Sequence, residues 1–123
     1  MTINKQATAT TTVSHSNTAK AVKSGSLDVF STPMMIALME EAAFKALASD
    51  LPDGQTSVGT QINAEHLSAS PIGATVTAKA TINAVEKRKI TFDITVHDNT
   101  KEIGRGTHTR FIVDTERFMA NLT

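Results

Sequence analysis

Residues 33–47 are the only stretch of this 123-residue chain with sustained helical periodicity, and most of the sequence beyond Gly54 repeats with a period of two. Apolar residues recurring every three or four positions make a helix face, whereas alternation makes a half-buried strand. One helix cannot cover both sides of a sheet. It must lie along one face and leave the outward Thr- and Lys-rich positions to solvent. The chain is therefore read as α+β, an antiparallel sheet wrapped around one long central helix, in a single domain over residues 1–123.

The punctuation agrees with that reading. Thr32 followed by Pro33 reads as helix cap and first helical residue. The helix is expected to end near Ala48 or Ser49, where Leu51-Pro52-Asp53-Gly54 turns the chain. Residues 8–13 are rich in β-branched side chains and suit a first, edge strand. Residues 17–28 are polar, contain Ser24-Gly25-Ser26 and read as a surface loop. Alternation then sets Val58, Thr60, Ile62 and Ala64 on one face of a strand, with Ser57, Gly59, Gln61 and Asn63 on the other. The next strand faces inward with Val76, Ala78, Ala80, Ile82 and Ala84, and the one after it with Ile90, Phe92, Ile94 and Val96. Residues 102–113 make the last strand, where Gly104 and Gly106 mark a bulge or a close approach. Asp114 is placed to cap a short terminal helix reaching Met119.

Charge and composition remove several function classes. Twelve basic and twelve acidic residues are scattered to a formal net charge of zero, so no basic stripe marks a nucleic-acid footprint. There is no cysteine, which excludes disulfides and thiolate metal sites. No His/Asp/Glu cluster has zinc-ligand spacing, and no metal or cofactor is expected. The longest apolar run, residues 33–39, is too short to span a bilayer, and residues 1–8 lack an apolar signal core. A cytoplasmic protein without membrane contact is the expectation.

Against that plain background Glu40 stands out. Its helical neighbours Ile36, Ala37, Ala43 and Phe44 are all apolar, whereas Glu41 has Lys45 four residues on as a surface partner. Glu40 is either solvated by helix curvature, paired with a cation from the sheet, or kept as a general base or nucleophile. Thr32 reads first as a cap, and a hydroxyl at a helix mouth also sits where backbone N–H groups favour a developing oxyanion. His66 reads as a strand-end imidazole held by Glu65 or Ser68, or as a group that polarises a carbonyl near neutral pH. His108 and Arg110 share one face of the last strand with Gly104 and Gly106, so they form either an outward polar face or one wall of a site. His15 and His97 read as surface residues. The chain has neither a Gly-x-Ser-x-Gly elbow nor a phosphate-cradling loop.

Three blocks together carry a resemblance. Val29-Phe30-Ser31-Thr32-Pro33 with Leu38-Met39-Glu40, then Thr56-Ser57-Val58-Gly59-Thr60 with His66 and Ala69-Ser70-Pro71-Ile72-Gly73, then residues 102–110, resemble the fluoroacetyl-CoA thioesterase-like family of hotdog proteins. The resemblance runs from about Thr18 to Phe118. It implies a hotdog fold, a homodimer with sites at the subunit interface, and hydrolysis of short acyl-CoA thioesters. It implies catalytic roles for Thr32, Glu40 and His66, and substrate contacts from the Gly59 backbone amide and from Arg110. The chain departs from the family before the helix, where Lys23-Ser24-Gly25-Ser26-Leu27 carries no aromatic lid residue. This departure implies a different or broader acyl preference. The competing readings are a non-catalytic acyl-CoA or small-ligand binding protein on the same fold, and a hotdog dehydratase.

Overall fold

The computed structural model describes residues 1–122. Its elements run β1 (Gln6–Thr12), α1 (Thr32–Ala48), β2 (Gln55–His66), β3 (Thr75–Glu86), β4 (Lys89–His97), β5 (Glu102–Asp114) and α2 (Thr115–Ala120). The five strands form one sheet in the order β1-β3-β4-β5-β2, every neighbouring pair antiparallel. β2 follows α1 in sequence yet lies at the far edge from β1, because the helix carries the chain across the sheet.

α1 touches all five strands. Neighbouring strands are spaced about 4.8 Å apart, so a flat sheet of this width would leave its edges out of reach of one helix. The sheet therefore bends round α1. The helix contributes Met35, Leu38, Met39, Ala42, Ala43, Ala46 and Leu47, spaced by three and four residues on one face. Against them lie Val76, Ala78, Ala80, Ile82, Ile90, Phe92, Ile94, Val96 and Ile103. Met34, Ala37 and Phe44 remain exposed, so the helix is buried on one side and not all round.

Bulges correct the expected strand faces at two places. The pairing of β2 with β5 shifts between Gly59 and Gln61, leaving Thr60 as an extra residue. Beyond it Ile62, Ala64 and His66 turn inward as alternation requires. Before it the parity reverses: Ser57 is buried, and Val58 sits opposite exposed Phe111. A second shift between Ile82 and Ala84 pairs Val85 with buried Ile90 and packs it against the core. Gly104 and Gly106 mark close approaches, and Gly104 also borders a register shift of β5 against β4 that leaves Ile103 as an extra residue. A Cβ on Gly104 would lie 2.5 Å from Met35 Sδ, and one on Gly106 would run into the Asn63 carbonyl.

The helix entry also differs from the expectation. Ser31 is the cap: its side chain accepts from the Met34 N–H at 3.2 Å. Thr32 is the first helical residue and Pro33 the second, so the Thr32 hydroxyl is free of capping. Behind this entry, Phe30 N–H donates to the Ser70 carbonyl at 2.9 Å, and Ser70 Oγ donates to Asp98 Oδ2 at 2.8 Å. The turn after β4 thereby braces the mouth of the helix. α2 forms as expected, although Asp114 makes no side-chain capping bond.

Ser31→Ala should lower the unfolding free energy by about 1 kcal/mol, the usual worth of a lost cap. Thr32→Ala should cost distinctly less, as measured by urea denaturation of both variants. The opposite ranking would return the cap to Thr32.

Candidate active site

α1 and β2 place the sequence-expected residues in two groups. The first is at the helix mouth. Thr32 Oγ1 lies 2.7 Å from His66 Nδ1, joining the first residue of α1 to the last residue of β2. The pair lines a cavity of about 300 Å³ with Ser24, Val29, Ser68 and Ala69. His66 Nε2 is buried and has no hydrogen-bond partner among the described residues. Burial pushes the His66 pKa below its ordinary 6.5, opposed by the Ser68 backbone. A neutral imidazole with one ring nitrogen held and the other unanswered is set to receive a polar ligand atom.

The second group lies two helical turns further on. Glu40 Oε2 is 3.6 Å from Arg110 Nη1, with the Glu40 side chain 42% exposed. The carboxylate is thus neither buried nor unpaired: it lies at the margin of the sheet beside one cation. Arg110 is 6% exposed. Its Nε donates to Ser57 Oγ and its Nη2 to the Ser57 carbonyl, each at 2.9 Å. Its Nη1 lies 3.2 Å from His108 Nε2, and its Cζ stands 5.8 Å from the Phe44 ring centroid. Removal from water pulls the Arg110 pKa below its usual value, opposed by the Glu40 charge.

Gly59 belongs to this second group, and a side chain there would have to displace the Glu40 carboxylate. A Cβ on it would meet Glu40 Oε2 at 2.6 Å, His108 Cε1 at 3.0 Å and Arg110 Nη1 at 3.2 Å. The bulge just after Gly59 is what turns this residue and Ser57 towards the helix.

The geometry thus unites Thr32 with His66, and Glu40 with Gly59 and Arg110. It does not bring the two groups together within one chain. Thr32 and Glu40 are eight residues apart on α1, about 12 Å along its axis. Gly59 and His66 are separated by about 20 Å of strand. Sequence reasoning missed Ser57 as the anchor of Arg110, because alternation without a bulge set it on the face away from Val58. It also missed Ser31 as the cap, although a serine directly before a threonine and a proline offers a second candidate. Among the described residues no group of His, Cys, Asp and Glu is arranged to hold a metal ion. No helix among them is long and apolar enough to cross a membrane.

Comparisons with known proteins agree with this fold. A family model described as fluoroacetyl-CoA-specific thioesterase matches residues 13–116. The fluoroacetyl-CoA thioesterase of Streptantibioticus cattleyicolor is 41% identical over 95 residues, which span 77% of this chain and 68% of that protein. A mutant of the fluoroacetyl-CoA-specific thioesterase, solved with fluoroacetate and CoA, superposes with a TM-score of 0.90 at 34% identity, covering 96% of this chain and 99% of that one. A hot-dog-like protein from Thermanaerovibrio acidaminovorans shares the fold, with a TM-score of 0.89 at 24% identity over 98% of this chain and 89% of its own. With a helix cradled by a five-stranded antiparallel sheet and the family match spanning most of its length, this chain belongs to the fluoroacetyl-CoA-specific thioesterase family of hotdog proteins and is an acyl-CoA thioesterase.

Proposed function

We propose that the protein hydrolyses a short acyl-CoA thioester to the free acid and CoA at a site shared between two copies of the chain, with Thr32, Glu40 and His66 as its catalytic residues. The observation that carries this is the Thr32–His66 pair on the cavity wall, with a buried imidazole nitrogen left without a partner. If the Thr32 hydroxyl donates to Nδ1, Nε2 carries the ring proton and can donate to the thioester carbonyl. Charge growing on that oxygen would be stabilised by this donor and by the Gly59 amide. Glu40 takes a proton from the attacking water or attacks the carbonyl itself. The C–S bond then breaks, and the departing sulfur leaves as thiolate or takes up a proton to become the CoA thiol; where Glu40 itself attacked, water then hydrolyses the mixed anhydride to the free acid and restores the carboxylate. Arg110 holds Glu40 and contacts the substrate.

A second copy is argued from what α1 and β2 leave uncovered. β2 is an edge strand of twelve residues, and Ile36, Glu40 and Phe44 form a partly exposed row on α1. Long unpaired edges invite pairing with another chain. A twofold antiparallel pairing of β2 with β2 that sets Gly59 opposite the second copy's His66 does so twice, once for each copy. It would bring Glu40 of one copy towards Thr32 and His66 of the other, closing the gap that separates them in one chain.

The acyl group is proposed to be broader than in an enzyme with an aromatic lid. The loop ahead of α1 presents Ser24 to the cavity, and residues 23–27 contain no aromatic side chain. The loop is tied back on itself, Ala19 N–H to Val29 O at 2.8 Å and Ser24 N–H to Ala19 O at 3.0 Å.

A thiol-release assay over acetyl-, short branched- and aromatic acyl-CoA should give turnover with more than one acyl group. Tight binding with no release of CoA would sink the hydrolase reading. Glu40→Ala and His66→Ala should each lower turnover by about a hundredfold or more while the fold survives. Refolding these two inactive variants together should restore about a quarter of wild-type activity, because half the dimers are mixed and each mixed dimer has one intact site. Activity that stays at the single-variant level would place all the catalytic groups in one copy. The His66 shift adds a stability test. Its folded-state pKa lies below the unfolded 6.5, so on acidification the unfolded chain takes up the proton first. The stability of wild type relative to His66→Gln should therefore be constant above about pH 6.5 and fall as pH drops through the folded value. A relative stability that rises on acidification would mean that the folded protein prefers the charged ring.

A further inference from the structure

His108 has no role in the proposed reaction, yet it is 2% exposed and lies against the Glu40 group. Its Nδ1 is 2.7 Å from the Gln61 carbonyl, which the bulge at Thr60 turns inward. A carbonyl only accepts, so Nδ1 carries the proton and neutral His108 keeps a lone pair on Nε2. Arg110 Nη1 stands 3.2 Å from that lone pair. The other guanidinium nitrogens are committed to Ser57, so Nη1 is the one that faces both His108 and Glu40.

The two contacts of Nη1 are unequal. It is within hydrogen-bond reach of His108 but 3.6 Å from Glu40, where an ideal charge-assisted bond would be about 2.8 Å. From this division we infer that His108 is a positioning residue, whose neutral imidazole holds Arg110 Nη1 away from Glu40 so that the carboxylate is oriented but left available to the substrate. An apolar ring in its place would stack on Phe92 as the imidazole does, with ring centroids 6.0 Å apart. It would leave an Nη1 proton buried and unanswered, and the guanidinium would then turn onto Glu40 as a close ion pair.

The surroundings keep the ring neutral. Burial lowers the His108 pKa, the Arg110 charge lowers it further, and the Gln61 carbonyl and Glu40 oppose this. The groups facing it are Arg110 on β5, Glu40 on α1, the Gln61 backbone on β2 and the apolar Phe92 on β4. The inference rests on Glu40 being the catalytic carboxylate, and its test separates the two claims.

Steady-state thiol release would be measured for wild type, Glu40→Ala, His108→Phe and His108→Gln. His108→Phe should lower kcat by about ten- to a hundredfold with KM nearly unchanged, the mark of a misplaced catalytic group. His108→Gln, whose amide oxygen can accept from Nη1, should recover most of that loss. Equal losses in both variants, or a loss confined to KM, would overturn the positioning role. If Glu40→Ala is inactive and His108→Phe turns over like wild type, only the His108 inference falls. If Glu40→Ala keeps wild-type turnover, both fall. The ring nitrogens of wild-type His108, read by nitrogen NMR at neutral pH, give a measurement that needs no variant to fold. A proton on Nδ1 alone is expected, and one on Nε2 would overturn the inference.

Discussion

A guanidinium withdrawn from water needs every one of its donors answered, and this constraint on Arg110 organises the middle of the molecule. Ser57 answers two of its nitrogens and His108 stands at the third. Ser57 is available only because the bulge at Thr60 reverses the parity of β2. The same bulge presents the Gln61 carbonyl to His108 and brings Gly59 under Glu40. One extra strand residue therefore lets β2 meet Arg110, His108 and Glu40 through Ser57, the Gln61 carbonyl and Gly59.

The helix mouth is built on a different economy. Ser31 takes the capping role, and the brace from Asp98 through Ser70 to Phe30 fixes where α1 begins. Thr32 is consequently free to meet His66 across the cavity. Each group is joined by its own contacts, and α1 holds the two about two turns apart. A rod with one group at its end and the other near its middle cannot join them by local motion. A second rod running the opposite way can, and the free edge of β2 is where such a copy would align under the proposed function.

Much of the fold was legible because burial imposes periods. Residues 76–82 and 90–96 alternate without interruption, and α1 repeats its apolar positions every three or four residues. Glu40 was legible for a related reason, since it breaks the apolar pattern of its helix face, whereas Gly59 was named only through the family resemblance. The roles of Ser57 and His108 were not legible, since each depends on a parity or a partner that one strand does not contain; the Ser31 cap is local, and adjacent Thr32 offered an equally good hydroxyl. Alternation counts residues and does not see a bulge, and a bulge is decided by what lies across the ladder.

By itself the sequence determined that one helix and a long alternating tail must make a sheet covered on one face, that no thiol chemistry is available, and that Glu40 sits among apolar neighbours. Those are consequences of spacing and composition, which are local. Only the tertiary structure decided that Thr32 faces His66, that Arg110 is buried beside Glu40, and that these are two groups and not one. Each of those facts depends on strands distant in sequence being placed by hydrogen-bond register, and register is a property of pairs.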